Sequence, residues 1–418
     1  MVTLSDRIVA QRKPYVLPLT STNTTITLER WPHRQLPSID DDLDIIHRHF
    51  TETGLMRASL GGDFYPYNEW ERDKAQAVAA FREVGEWSTA RWLCQSWLRT
   101  RHADNDLIEE ILVAGCRPWW AINREKAMTN EQETWEAKQR MLQPIRRILP
   151  DGTTERHHQP PWYGTPQHDA LAYFLREVCL VELHEEFLTA VDYELLARLI
   201  RYLLVVKCWE GDFGAWEQEY DIHASTLHAL LASFDALDQL SQVRGDSRLM
   251  VPVEMRENCL SQLASLQGWH QPGKMSDGAH LLAYTVDQLG PGDLPLLERI
   301  IYHLWHREGM IRFAGDYYMR TVPVGATEAR WTLISLLAAY AYAKSGQYEK
   351  ANAMLRHIDA VQRQPDGMFP EAWVPVVEDG QEYCRPCSQT VLAWSHAIYV
   401  RARLLVDRHF RSVRVSLS

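Results

Sequence analysis

The sequence predicts an all-α protein built as an (α/α)6 barrel, a toroid of inner helices inside a ring of outer ones, with an irregular N-terminal arm. Three observations lead there. From Ile45 onward apolar residues recur at helical spacing in about eleven or twelve segments, with almost no credible strand between them. Residues 331–344, "WTLISLLAAYAYAK", are apolar nearly all round, which marks a helix buried on every side. After the Ser345-Gly346 break, "QYEKANAMLRHIDAV" carries one apolar stripe at Tyr348, Ala351, Leu355 and Ile358, as an outer helix does. A set of such inner–outer pairs closes a ring. An open solenoid would need a fixed sequence repeat, and no regular repeat is present.

Residues 1–55 read as an arm packed on the barrel, because "LPLTSTNTTITLERWPHRQLPS" holds a short β-like patch broken by prolines. The acidic run "IDDDLD" (39–44) reads as a solvated helix start. Residues 56–418 are expected to form the barrel, and any catalytic residues are expected there. Helices are expected over 74–84 and 87–100, flanking Gly85, then over 167–188, 193–207, 225–243, 253–267, 280–289, 293–307, 327–344, 348–361 and 388–408. In such a ring the helices are scaffold, and function belongs to the loops joining them at one end. Four irregular, aromatic and charged stretches stand out: "GGDFYPYNEWERD", "PPWYGTPQHDA", "KCWEGDFGAWE" and "DGMFPEAW".

Composition narrows the partner. The net charge of −11 offers no basic excess to displace counterions, which argues against nucleic acid and against anionic membrane surfaces. The N-terminus lacks a signal-like apolar core, and no apolar run approaches the ~20 residues of a membrane span. The seven cysteines are scattered and odd in number, unlike a disulfide framework. A soluble protein of the reducing cytoplasm with a neutral polar ligand follows as the expectation. The 16 Trp and 17 Tyr fit either an aromatic-rich helical core or platforms on which sugar faces stack.

Hydrolysis of a glycosidic bond needs two carboxyl groups on opposite sides of the anomeric carbon, one of them protonated near neutral pH. A glutamate packed against an indole gains that property by desolvation. Two Trp-Glu pairs qualify, Trp209-Glu210 and Trp216-Glu217, and "DGMFPEAW" offers Glu371 between Pro370 and Trp373. Arg72 and Asp73 together can give and accept hydrogen bonds to several hydroxyls. Cys384 and Cys387 form a lone CxxC without the further ligands a zinc site needs. His396, in "WSHA", reads as a satisfied helix residue, and His157-His158 as part of a polar loop.

Taken in order, these stretches resemble the motifs of the glucoamylase-type inverting α-glucosidases, glycoside hydrolase family 15. "Y-x-Y-x-x-W-x-R-D" (65–73) resembles the first sugar-binding motif. "GTPQHDA" (164–170), "CWE" (208–210), "RFAGDYY" (312–318) followed by Trp331, "PEAW" (370–373) and "VLAWSHA" (391–397) are similar to the later ones. The same positions also resemble the N-terminal domain of the phosphorylase kinase regulatory α and β subunits. The thirteen residues between Glu210 and "AST" match that pattern and make Glu210, rather than Glu217, the family's acid position. Glu217 is left as pocket wall or structural residue.

The resemblance implies roles. Glu210 would be the general acid and Glu371 the general base. Arg72 and Asp73, with Arg312, would bind the non-reducing terminal glucose, and Tyr67, Trp70, Tyr163, Trp209 and Trp331 would line the sugar pocket. The activity implied is an exo-acting, inverting α-glucosidase on small oligosaccharides of maltose or isomaltose type, without cofactor or metal. The alternative is a non-catalytic sugar-sensing module like the kinase-subunit domain. A trehalase-like or uronide-cleaving enzyme of the same architecture is a further reading, the latter disfavoured by the acidic chain. Relatives often carry a second acid where Gly211 stands, so substrate preference is expected to diverge there.

Overall fold

The structure, a computed structural model, describes residues 37–60, 68–114, 142, 145–149, 154–156, 166–217, 219–306, 308–316, 328–378, 381–387 and 391–417. It is the expected (α/α)6 barrel. Helix α1 (Ile39–His47) precedes α2 (Glu71–Val84), α3 (Trp87–His102) and α4 (Asn105–Ala114). Then come α5 (His168–Glu185), α6 (Ala190–Val205), α7 (Ala224–Arg244) and α8 (Val253–Leu266). A short 3-10 and α run covers 278–285, followed by α9 (Leu294–Leu304), α10 (Thr332–Lys344), α11 (Tyr348–Val361) and α12 (Ala393–Leu417).

The inner ring can be followed round the molecule. α2 packs on α5, α5 on α7, α7 on the 278–285 run, that run on α10, α10 on α12, and α12 returns to α2. Burial explains which helices go inside. In α10 every residue from Thr332 to Ala343 is buried, whereas α11 buries only Ala351, Met354, Leu355, Ile358 and Asp359. Two inner helices end where a glycine takes the left-handed conformation, α2 at Gly85 (φ 94°) and α7 at Gly245 (φ 67°).

α2 buries charge as well as apolar surface, since Glu71, Arg72, Asp73 and Lys74 are all inaccessible. Each finds a counter-charge or a cluster. Lys74 meets Glu69 at 2.8 Å, and Glu71 accepts from Arg101 and from Trp97 Nε1. Uncompensated charges there would cost several kcal/mol each.

Three departures from the sequence reading have physical causes. Residues 37–55 are not simply an irregular arm. Ser38 and Asp41 form a capping box that starts α1, and α1 packs on α12 as the outer partner of that inner helix. The acidic run is not wholly solvated, because Asp42 is fully buried. Residues 1–36 of the expected arm lie outside the described residues. The second departure is the presence of strands. β1 (Asn68–Trp70), β2 (Ile145–Ile148) and β3 (Thr154–Arg156) form one antiparallel sheet. β4 (Trp305–His306), β5 (Gly309–Met310), β6 (Arg330–Trp331), β7 (Ala372–Glu378) and β8 (Gln381–Pro386) form another. β1 and β3 to β6, of two or three residues, are too short to show a period of two, whereas β7 and β8, of seven and six residues, went unread despite their length. Third, the helix expected over 280–289 begins as a 3-10 turn (Gly278–Leu281), continues as one α turn (Leu282–Thr285) and ends there.

Among the described residues no helix is long and apolar enough to cross a membrane.

Candidate active site

The singled-out residues gather where the inner helices begin. Arg72 and Asp73 open α2, Gln167 and Asp169 open α5, and the loop 206–223 leads into α7. Trp331 caps α10, Glu371 precedes β7 beside it, and Trp394 opens α12. Helix N-termini supply unpaired N–H groups and positive potential, which suit a cluster of carboxylates.

Arg72 is the hub. Its Nε and Nη2 hold the two oxygens of Asp169 at 2.7 and 3.0 Å, and Nη2 also reaches Gln167 Oε1 at 2.9 Å. Nη1 donates to Ala215 O at 3.2 Å and Nη2 to Gly214 O at 3.3 Å. The guanidinium therefore ties α2 and α5 to the loop carrying the second Trp-Glu pair. Trp394 stands 5.7 Å from it. Burial opposes the charge on Arg72, but Asp169 outweighs it and the pKa rises, so the cation persists.

The two candidate acids part company. Lys207 and Gly211 turn the chain with φ of 52° and 137° just after α6. Glu210 projects there half exposed, and its Oε1 meets Lys207 Nζ at 3.1 Å. A Cβ on Gly211 would come within 2.9 Å of Asp221 O, so glycine at this position serves the turn. The Asp212–Asp221 bridge then closes the loop, and the buried Asp212 carboxylate accepts from His168 N–H and Thr226 Oγ1. Glu217 follows at φ 62°, a left-handed conformation unfavourable for a non-glycine residue. Its charge supports the Arg72 cation.

Asp73 reports what surrounds it. Burial pushes its carboxyl up to about 8, the Arg72 charge opposing the shift and the charges of Glu217 and Glu371 adding to it. Glu217 and Glu371 thus each lie within electrostatic reach of Asp73. The sign of the Asp73 shift gives a stability prediction. A carboxyl whose pKa is higher folded than unfolded favours the fold at low pH and loses that contribution as pH rises toward the folded value. Asp73→Asn, which cannot ionise, is expected to raise Tm by roughly 2–6 °C at pH 8.5 and by much less at pH 5. Equal shifts at both pH values would contradict the assignment.

Arg312 stands among aromatic side chains that form a second wall. Arg312 is pinned to Asp316 by two contacts of 2.8 and 2.7 Å and lies 4.3 Å from the Trp331 ring and 5.3 Å from Trp216. Trp331 Nε1 donates to Asp316 and Trp216 Nε1 to Asp277 at 2.6 Å, so both indoles are fixed in orientation. Glu371 is buried (8% exposed), and its carbonyl accepts from Thr332 N–H at 3.3 Å.

Of the residues expected at the site, Arg72, Asp73 and Glu371 are brought together, and Arg312 and Trp331 share the aromatic wall with Trp216. Trp70 is buried in β1 directly before α2. Trp209 joins the hydrophobic core. Tyr67 and Tyr163 lie outside the described residues, as do His157 and His158. Sequence reasoning gave no role to Trp216, Asp169, Asp277 or Asp316. Cys387 Sγ accepts from Ala372 N–H at 3.4 Å. Among the described residues no group of three or more His, Cys, Asp or Glu side chains could hold a metal ion.

No protein-family model matches the sequence, and no curated protein does. Solved structures do match in fold. A glycosidase variant in complex with glucose superposes with a TM-score of 0.66 at 19% identity, covering 88% of this chain and 96% of that one. A bacterial glucoamylase complexed with acarbose gives 0.59 at 13% identity, covering 89% of this chain and 55% of that one. The glucoamylase of Saccharomycopsis fibuligera gives 0.57 at 12%, covering 88% and 95%.

Proposed function

We propose that the protein is a glycoside hydrolase, an exo-acting, inverting α-glucosidase that releases glucose from the non-reducing end of small α-glucosides, with Glu217 as general acid and Glu371 as general base. The observation that carries this reading is the joint action of Glu217 and Glu371 on Asp73 beside Arg72, at the end of the ring where the inner helices begin. The fold shared with glycosidases and glucoamylases supports it. The acid role moves from Glu210 to Glu217 because Glu217 acts on both Asp73 and Arg72, whereas Glu210 pairs with Lys207.

In this reaction Glu217 gives its proton to the glycosidic oxygen as the C1–O bond breaks. Glu371 takes a proton from a water that attacks C1 from the opposite face. The products are β-glucose and the free alcohol, leaving Glu217 ionised and Glu371 protonated. Proton exchange with solvent restores both. Asp73 and Arg312 bind hydroxyls of the terminal glucose, Trp216 and Trp331 flank the ring, and Arg72 holds the Glu217 loop. Room for the attacking water requires the two carboxyls to stand roughly 6.5–9.5 Å apart. The test is glucose release from maltose, isomaltose, trehalose and dextrin. Release from at least one is expected. Sugar binding by calorimetry without release from any would identify a sensing module instead.

A further inference from the structure

The carboxylate proposed as base does not stand on a helix. It ends the connection 362–371 between α11 and β7, and this connection is held by buried charge from three separate elements. Arg363 donates to Asp359 at 2.6 Å, to Gly367 O at 2.7 Å, and through Nη1 and Nη2 to the Asp42 carboxylate at 3.0 and 3.2 Å. Its guanidinium lies 4.0 Å from the Phe369 ring and 4.5 Å from Tyr399. Asp42, on α1, also bonds His396 Nδ1 at 2.6 Å. His396, on α12, turns its other nitrogen toward the connection, where Nε2 lies 3.2 Å from Phe369 N. Both Asp42 and His396 are completely buried.

A backbone N–H only donates, so Nε2 must present a lone pair and the imidazole proton must sit on Nδ1, directed at Asp42. Burial pushes the His396 pKa down, with the Asp42 bond opposing, which keeps the ring neutral as this arrangement requires. The Phe369 carbonyl is fixed in turn by the N–H groups of Val391 and Leu392. Only Pro370, whose ring locks φ, separates Phe369 from Glu371.

We infer that His396 is a positioning residue for Glu371, its Nε2 anchoring the Phe369 amide in the tautomer that Asp42 selects. The inference rests on the base role proposed for Glu371. Its test separates the two ring nitrogens. His396→Gln can keep an acceptor where Nε2 stands, whereas His396→Asn can keep a donor to Asp42 but loses that acceptor. If His396 only satisfies the buried Asp42, Asn is the better replacement. If it anchors the amide, Gln is.

The expected result is a kcat loss of at least about tenfold in His396→Asn, with KM within about twofold, and a kcat within about threefold of wild type in His396→Gln. Faster hydrogen exchange in the 366–371 segment is expected for the Asn variant alone. Should the Asn variant fail to fold, Asp42→Asn is expected to lower kcat with KM unchanged and to speed the same exchange. Equal kcat losses in the Gln and Asn variants, or a loss greater in Gln, would overturn the inference. So would a rise in KM at unchanged kcat. If the wild type hydrolyses no glucoside, the function reading has failed. The exchange comparison still decides the anchoring, and equal exchange in the two variants would refute it.

Discussion

Glu217→Gln is expected to lower kcat on a small α-glucoside by about 10²- to 10⁴-fold with sugar binding nearly unchanged, while Glu210→Gln leaves kcat within about threefold. Gln keeps the size of the side chain and its hydrogen-bonding reach but has no proton to give. The loss should depend on the leaving group. An aryl glucoside or glucosyl fluoride, whose leaving group departs without protonation, should recover most of the rate in the Glu217 variant. Glu210 bonds Lys207 near the surface, and an exposed pair of this kind contributes little. Its loss should be felt, if at all, in the turn after α6. A large effect at Glu210 with none at Glu217 would return the acid to the position the family resemblance implied.

Glu371→Gln is expected to cost about as much, 10²- to 10⁴-fold in kcat, but with a different signature. Water must be deprotonated whatever the leaving group, so glucosyl fluoride should not restore the rate. The side chain is buried and its backbone is held by Thr332 N–H and the Trp331–Ala372 pairing, so the variant should fold. Removing its charge also relieves Asp73. The Asp73 carboxyl should therefore titrate lower in Glu371→Gln than in wild type, by carbon-detected NMR. A rate loss that glucosyl fluoride cures equally in both variants would break the division of labour between the two glutamates.

Much of the fold was legible because burial writes itself into helices. The all-round apolar α10 and the one-striped α11 fix an inner and an outer layer without any tertiary information. What stayed hidden is of two kinds. Short strands such as β1 and β6 owe their existence to partners far along the chain, and the acidic run, though read as a helix start, gave no sign that its third aspartate is buried against Arg363 and His396 more than three hundred residues away.

At the site, Arg72, Asp73 and Glu371 were readable from residue type and order. The acid position proposed here, Glu217 rather than the expected Glu210, was not. Counting residues to the α7 start favoured Glu210, but direction is set by the turns at Lys207, Gly211 and Glu217, where φ is positive. Residue counts carry no direction. A usable signal did exist in Trp216-Glu217, which is closer in sequence to the N-terminus of α7. Gly211 changes meaning for the same reason. It was read as a lost acid at a substrate-facing position, and it is a glycine that the turn against Asp221 requires.

The central claim is that Glu217 and Glu371 act from opposite faces of the anomeric carbon in a single displacement. Proton NMR of the nascent glucose, taken with wild-type enzyme on the best α-glucoside before mutarotation, tests it most directly. The account predicts that the β-anomer signal rises first. First appearance of the α-anomer would mean retention and would contradict it.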